Sequence, residues 1–550
     1  MSRRVDMSSW GGDSEGCVWA TERGEEAIGY VWEYEIDRRL ILTVNTRIAV
    51  FLYSLPVYLN PISPLFIFHY VLLAIMATAT QVLAVPTTEA KPATEITTIP
   101  DGTRVTAAVL KADSDVVADA CYRCGHVQHA VVTWFTPQNR RDKMRKVPDK
   151  SPRQASKPKY DEAYMRQNFP LASEHIWKNS NSGKGGVWYI PKEWQKDSDK
   201  PTTILEAARL ASERAAELKQ TIPHSSIPLI VHQTWMDTKI DEWAPDLVTG
   251  VERWLQYAMA EGKGSMAYFL WLDDGCDQLI KKAEPDLVDI LKALPLPVER
   301  SDVFRVVVAN SIGGIYGDID THPLRSPATW LEDRDMTPWT DPETNTEYSP
   351  ASGQSFKSTP QPARLLLGIE ADNDPNTDAH WRMGYFFPIQ LTQWALAAAP
   401  NHPVLNRFVA NFKTRVAQLA TPYKGNLTAT AEAGVFAKED PLKLTGPEAI
   451  TTATMQQLKE DAGLRWEALT GLQDGGRSKA VGDTIIFPIT AFSPGRSSYG
   501  NMGSKPVTDK DARLQHRAQG SWRKKDMTVE LGKLCRTVLG MCRDWSKVPQ

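Results

Sequence analysis

Two aspartates one residue apart are the side chains best suited to do chemistry in this chain. Asp318 and Asp320 close the stretch Gly313-Gly314-Ile315-Tyr316-Gly317-Asp318-Ile319-Asp320. In an extended strand, residues i and i+2 point to the same side, so both carboxylates are expected to aim at one point. Converging carboxylates suit a hard divalent cation, Mn2+ or Mg2+, in a site that substrate phosphate and water complete. The glycines are expected to let backbone approach a ligand closely. The tripeptide alone is also common in solvated turns, so its surroundings must give it meaning.

Those carboxylates need elements to hold them. Upstream, Ser301 is the expected N-cap of a helix that carries Asp302 and Arg305 and continues through an apolar run at 303–309. Further upstream, Ile227-Pro228-Leu229-Ile230-Val231-His232-Gln233-Thr234-Trp235 reads as a buried strand running into polar residues. In an open α/β sheet, ligands bind beyond the carboxyl ends of the strands. His232, Gln233 and Trp235 are therefore candidates for a nucleotide pocket, with Trp235 stacking a base. The competing reading is a first core strand with a packed tryptophan. The next strand, 268–272, again ends in acid at Asp273 and Asp274, and 365–372 runs as a strand to Glu370 and Asp372. Helices are expected to open at 390–394, at 401–405 and after Pro447, and a strand is expected over 485–492. Strand, acid and helix alternate, which predicts an α/β fold.

The chain has 550 residues, enough for one large domain with appendages or for two or three domains. Its 63 basic and 66 acidic residues nearly balance, so nothing points to a nucleic-acid partner. Six cysteines are too few for a disulfide scaffold at this length. Cys121 and Cys124, followed by His126 and His129, have the wrong spacing for a standard zinc finger; a disulfide or free thiols is the plainer reading. Cys535 and Cys542 would need a helix break to pair.

Residues 65–85 carry no formal charge apart from His69, and as a helix would span about 31 Å, enough for a bilayer core. Arg38, Arg39 and Arg47 on its N-terminal side place the N-terminus in the cytoplasm and the rest in the lumen. The apolar run at 40–59 is a second, interrupted candidate for membrane contact. The expected organisation is a cytoplasmic segment at 1–64, an anchor at 65–85, a stem and linker at 86–221, a catalytic domain at 222–525 and a tail at 526–550. Asn426-Leu427-Thr428 is an N-glycosylation sequon.

Ser301-Asp302-Val303-Phe304-Arg305 followed by GGIYGDIDTHPL resembles the Asp-x-Asp glycosyltransferases related to the fungal initiation-specific alpha-1,6-mannosyltransferase. IPLIVHQTW, GIEAD, the Gln393-Trp394 pair, NHPVL, TGP and a closing HxxxGSW at 516–522 resemble that family in order. The resemblance implies a GT-A-like nucleotide-sugar-binding sheet. It implies GDP-mannose as donor, Mn2+ (or Mg2+) as ion, and an alpha linkage to an N-glycan acceptor made with retention. It implies Asp318, Asp320 and His516 as metal ligands. Asp302, Arg305, Tyr316, Gly317, Ser521 and Trp522 would join His232, Gln233 and Trp235 in binding substrate. Glu370 and Asp372 are implied as acceptor-side or catalytic carboxylates, or else belong to an exposed strand-end loop. A single-pass Golgi membrane location, a luminal catalytic domain and a complex with other Golgi mannosyltransferases are also implied. Two alternatives stay open: a mannosyltransferase acting on inositol phosphoceramide, and an inactive membrane-tethered binding protein.

Overall fold

The computed structural model describes residues 160–541 apart from 178–183, 261, 263, 355–358, 378, 497–501 and 519–526, together with four very short strands nearer the N-terminus. The chain divides into two compact units, residues 1–136 and 137–550. The first contributes two antiparallel ladders, Trp19–Ala20 with Glu26–Ala27 and Ile96–Thr98 with Arg104–Thr106. The expected anchor at 65–85, the apolar run at 40–59 and the Cys121–His129 cluster lie outside the described residues. Among the described residues, no helix is long and apolar enough to cross a membrane.

In the second unit the strands that frame the site are β1 (Gly186–Tyr189), β2 (Ile230–Thr234), β3 (Ala267–Trp271), β4 (Gly314–Gly317), β5 (Thr321–Pro323), β6 (Leu365–Asp372), β7 (Ile389–Ala398), β8 (Lys479–Val481), β9 (Thr484–Phe487) and β10 (Leu514–His516). An eight-stranded sheet runs in the order β8-β9-β6-β7-β4-β2-β3-β1. The β2–β3, β2–β4 and β6–β9 pairs are parallel; the other neighbours are antiparallel. The longer flanking helices are α1 (Ile204–Leu218), α2 (Pro245–Ala258), α3 (Asp273–Ala283), α4 (Pro297–Ser311), α5 (Pro403–Ala420) and α6 (Pro447–Ala462). The chain leaves β2 for β3 on one side and returns to β4 on the other. That reversal makes a crevice beyond the carboxyl ends of β2 and β4, the place where open α/β sheets bind ligands.

Buried parallel strands read as apolar runs, and β2 and β3 are buried almost throughout. Gly314, at φ 109°, opens β4 beside β2; a Cβ there would lie 2.5 Å from the Ile230 carbonyl oxygen. Gly314 therefore serves the approach of β4 to β2, while a Cβ at Gly313 would meet Pro400 at 2.8 Å.

Several expectations change. The stem was expected to extend to residue 221, but β1 is an edge strand of the main sheet, paired with β3, and α1 packs on both. The helix with Asp302 and Arg305 starts at Pro297, and its first turn is closed by the Glu299 carboxylate accepting the Leu296 N–H at 3.0 Å, so Ser301 lies inside it. Residues 390–394 belong to strand β7, not to a helix. All ten residues of β7 are buried and its polar side chains find partners inside the protein, so no polar face betrays its period. The strand expected over 485–492 stops at Phe487, and Pro488 turns it into a helical turn at Ile489–Phe492. The tail contains a helix, Met527–Leu534, and beyond it Arg536 Nε donates to the Arg382 carbonyl at 3.0 Å.

Candidate active site

Asp318 follows the last residue of β4. Its N–H continues the β4–β7 pairing by donating to the Trp394 carbonyl at 2.8 Å. The chain then turns: the Thr321 N–H and hydroxyl donate to the Asp318 carbonyl at 2.9 and 2.6 Å. The two aspartates are thus brought together by a turn, and not by the alternation of a strand. Gly317 permits this turn, since a Cβ would meet Thr321 Oγ1 at 2.9 Å and Trp254 at 3.2 Å.

His516 reaches the turn through a second, two-stranded ladder. β10 pairs antiparallel with β5, setting His516 opposite Thr321, and the Arg517 N–H donates to the Asp320 carbonyl at 3.0 Å. His516 Nε2 lies 3.2 Å from Asp320 Oδ1. Ligand atoms of Asp318, Asp320 and His516 all lie within 4.8 Å of one another. Two carboxylates and an imidazole fit a divalent cation such as Mn2+. The three side chains are partly exposed, so substrate oxygens have access to the same point.

Behind the carboxylates sits a buried cation. Arg305 Nη2 is 3.0 Å from Asp302 Oδ1 and 3.1 Å from Asp318 Oδ1. Its Nη1 donates to Gln393 Oε1 at 2.9 Å. Gln393 Nε2 donates to the carbonyls of Asp302 at 3.0 Å and Thr445 at 2.6 Å, and the Thr445 hydroxyl donates to Asp302 at 2.9 Å. The Tyr316 hydroxyl donates to Asp318 Oδ1 at 2.9 Å. Burial pushes the Asp318 carboxyl above the usual carboxylate range, and Arg305 opposes it. Burial likewise pushes Asp302 up to about 6. Burial opposes the Arg305 charge, but Asp318 and Asp302 outweigh it and hold the guanidinium protonated. Tyr316, raised by burial and then by Asp318, stays a neutral donor.

The family described as "Glycosyltransferase sugar-binding region containing DXD motif" matches residues 247–337, the span that holds α4, β4 and the aspartate turn. An initiation-specific alpha-1,6-mannosyltransferase of Schizosaccharomyces pombe is 35% identical over 231 residues, 42% of this chain and 48% of that protein. The protein of the same name from Candida albicans is 28% identical over 315 residues, 54% of this chain and 72% of that protein. Inositol phosphoceramide mannosyltransferase 3 of Schizosaccharomyces pombe is 30% identical over 98 residues, 18% of this chain and 25% of that protein. The match spans about half the length of the first of these relatives.

Residues 247–337 carry the sugar-binding region of the DXD glycosyltransferases.

Around this region the other expected site residues separate by burial and bonding. His232 is fully buried. Its Nε2 bonds the Gly313 carbonyl at 3.0 Å and its Nδ1 accepts the Trp271 indole N–H at 3.1 Å. Burial lowers it to about 4, so it is a neutral pin for the glycine turn with no nitrogen left for a nucleotide. Gln233 is also fully buried; it donates to the Asp318 carbonyl at 3.1 Å and accepts the Tyr268 hydroxyl at 2.8 Å. It shapes the aspartate turn from behind. Trp235 is half-buried just past β2, edge-on to Trp243 at 5.8 Å. Asp273 and Asp274 open α3, where a helix dipole favours acids.

Asp372 is buried, its two oxygens accepting the Thr470 hydroxyl and the Gly471 N–H, each at 2.7 Å. It ties β6 to the loop at 470–471 and is not presented as a catalytic carboxylate. Glu370 stands closer to the site: it accepts the Trp394 indole N–H at 3.3 Å and the Gln390 amide at 3.0 Å, and Arg496 lies 3.6 Å away. Ser521 and Trp522 lie outside the described residues. Gln393, Trp394 and Thr445 emerge as site residues only in the fold. Their sequence signal was polar or aromatic residues set in apolar or turn-forming stretches at QW and TGP.

Proposed function

We propose that this chain is a retaining, metal-dependent mannosyltransferase that moves mannose from GDP-mannose to an N-glycan acceptor on glycoproteins in the Golgi lumen, through an alpha-1,6 linkage, on a GT-A-type sheet. The observation that carries this is the convergence of Asp318, Asp320 and His516 at the switch point of the sheet. The alpha-1,6-mannosyltransferase names of the relatives support the transfer of mannose and the linkage.

The reaction breaks the bond from the anomeric carbon to the diphosphate and forms a bond to an acceptor hydroxyl oxygen, whose proton leaves with the products. A divalent ion held by Asp318, Asp320 and His516 would neutralise the charge on the departing diphosphate. Arg305 holds Asp318 in place and, with Tyr316, fixes the direction of its carboxylate. Trp235, partly exposed just past β2, would stack the guanine. The oxygens of Asp372 and Glu370 are already engaged by protein donors, which favours a same-face path over a covalent glycosyl-enzyme.

The N-terminal anchor at 65–85 and the single-pass luminal orientation are part of the same proposal.

The test uses the full-length chain with GDP-mannose and Mn2+, offered a short high-mannose glycan or inositol phosphoceramide. Transfer to the glycan, lost by about a hundredfold or more in Asp318→Asn, is the expected result. Transfer to the lipid alone would replace the acceptor by that of the inositol phosphoceramide enzymes. Turnover of GDP-mannose that Asp318→Asn does not change would overturn the reading.

A further inference from the structure

Trp394 touches both halves of the proposed cation site by different means. Its backbone carbonyl accepts the Asp318 N–H at 2.8 Å. Its indole lies against the His516 imidazole, ring centroids 4.3 Å apart and planes 21° apart. The indole is itself fixed, because it is almost fully buried, packs on Phe492 with centroids 6.4 Å apart, and donates its N–H to Glu370. Glu370 is held in turn by the Gln390 amide.

The β5–β10 ladder places the His516 backbone, but a ladder does not set the torsions of a side chain. A histidine ligand needs its ring plane fixed before an ion arrives. That is commonly done by a hydrogen bond to the second ring nitrogen. Here a stacked ring of fixed orientation faces the imidazole while Nε2 points at Asp320.

We propose that Trp394, oriented by Glu370, is a positioning residue that presets the His516 imidazole toward Asp320 and so pre-organises the cation site. This rests on the cation site proposed above. It gives Glu370 a role exerted through Trp394, away from the reacting atoms, and it links β6, β7 and β10 in one chain of contacts ending at the ion.

The experiment is Mn2+ binding by the full chain without donor or acceptor, followed by the electron paramagnetic resonance of free Mn2+. Trp394→Leu is expected to weaken Mn2+ by roughly tenfold to a hundredfold, the usual cost of losing a partner that orients a ligand. Trp394→Phe, which keeps a stacking face, is expected to restore most of that loss. In a His516→Ala background Trp394→Leu is expected to cost little more, because the ring it orients is gone. An equal loss with and without His516 would show a general packing role and overturn the proposal. Native-like Mn2+ affinity in Trp394→Leu would overturn it while leaving the cation site intact. If Trp394→Leu fails to fold, Glu370→Ala leaves the indole present but unpinned. A loss of about threefold or more that vanishes without His516 is then expected, and unchanged affinity overturns the proposal. Failure of the native chain to bind Mn2+, with Asp318→Asn behaving alike, would overturn both the cation site and this inference.

Discussion

Arg305 stands 3.1 Å from Asp318 and is almost completely shielded from solvent. One guanidinium therefore compensates the Asp318 carboxylate and, at 3.0 Å, the buried Asp302. Removing it strands two carboxylates at once. Arg305→Met is expected to destabilise the fold by about 3 kcal/mol or more, as removing one partner of a buried ion pair does. Asp302→Asn added to it should recover part of that loss. Urea unfolding of the single and double variants checks this; additive losses would mean that the pair is not coupled.

Glu299 gives stability a pH dependence. Its side chain is fully buried, and burial pushes its carboxyl up to about 7. The folded chain holds this proton more tightly than the unfolded chain does. The group's favourable contribution is complete below the unfolded value of roughly 4.3 and is lost as pH rises through 7, a change of about 3 kcal/mol. Glu299→Gln keeps an acceptor for the Leu296 N–H and cannot ionise. It should be more stable than the native chain at pH 8 and no more stable at pH 5, as read from urea midpoints at the two pH values.

Trp235 predicts a binding effect without a chemical one. If its half-exposed ring stacks the guanine, Trp235→Ala should raise the KM for GDP-mannose by about tenfold, with kcat little changed. A matching loss of GDP affinity in calorimetry would locate the effect on the nucleotide. An unchanged KM would return Trp235 to a packing role against Trp243.

Asn426 tests the compartment. It is exposed and caps the short helix Leu427–Glu432, its side-chain oxygen accepting the Ala429 N–H at 3.0 Å. The amide nitrogen is left for a glycan. If the domain is luminal, endoglycosidase treatment should shift the mobility of the native chain. Asn426→Ser, which keeps a capping oxygen and removes the sequon, should lose that shift. A native chain without any shift would count against a luminal catalytic domain.

The sequence by itself determined the parts with local causes. The aspartate pair, the apolar strands 227–235 and 365–372 and the helices after Asn401 and Gly446 were legible, because periodicity, capping and turn chemistry act over a few residues. It could not show that β7 is a strand, because burial on both faces erases the alternation that marks one. Nor could it separate His232, sealed behind the glycine turn, from the partly exposed Trp235 three residues later, since exposure depends on what packs above each. Only the tertiary structure decided which distant residues gather around Asp318 and Asp302: Arg305 from α4, Gln393 and Trp394 from β7, Thr445 ahead of α6 and His516 from β10. Those meetings are set by strand order and by the β5–β10 ladder, and hydrogen bonds across such separations leave no period in the chain.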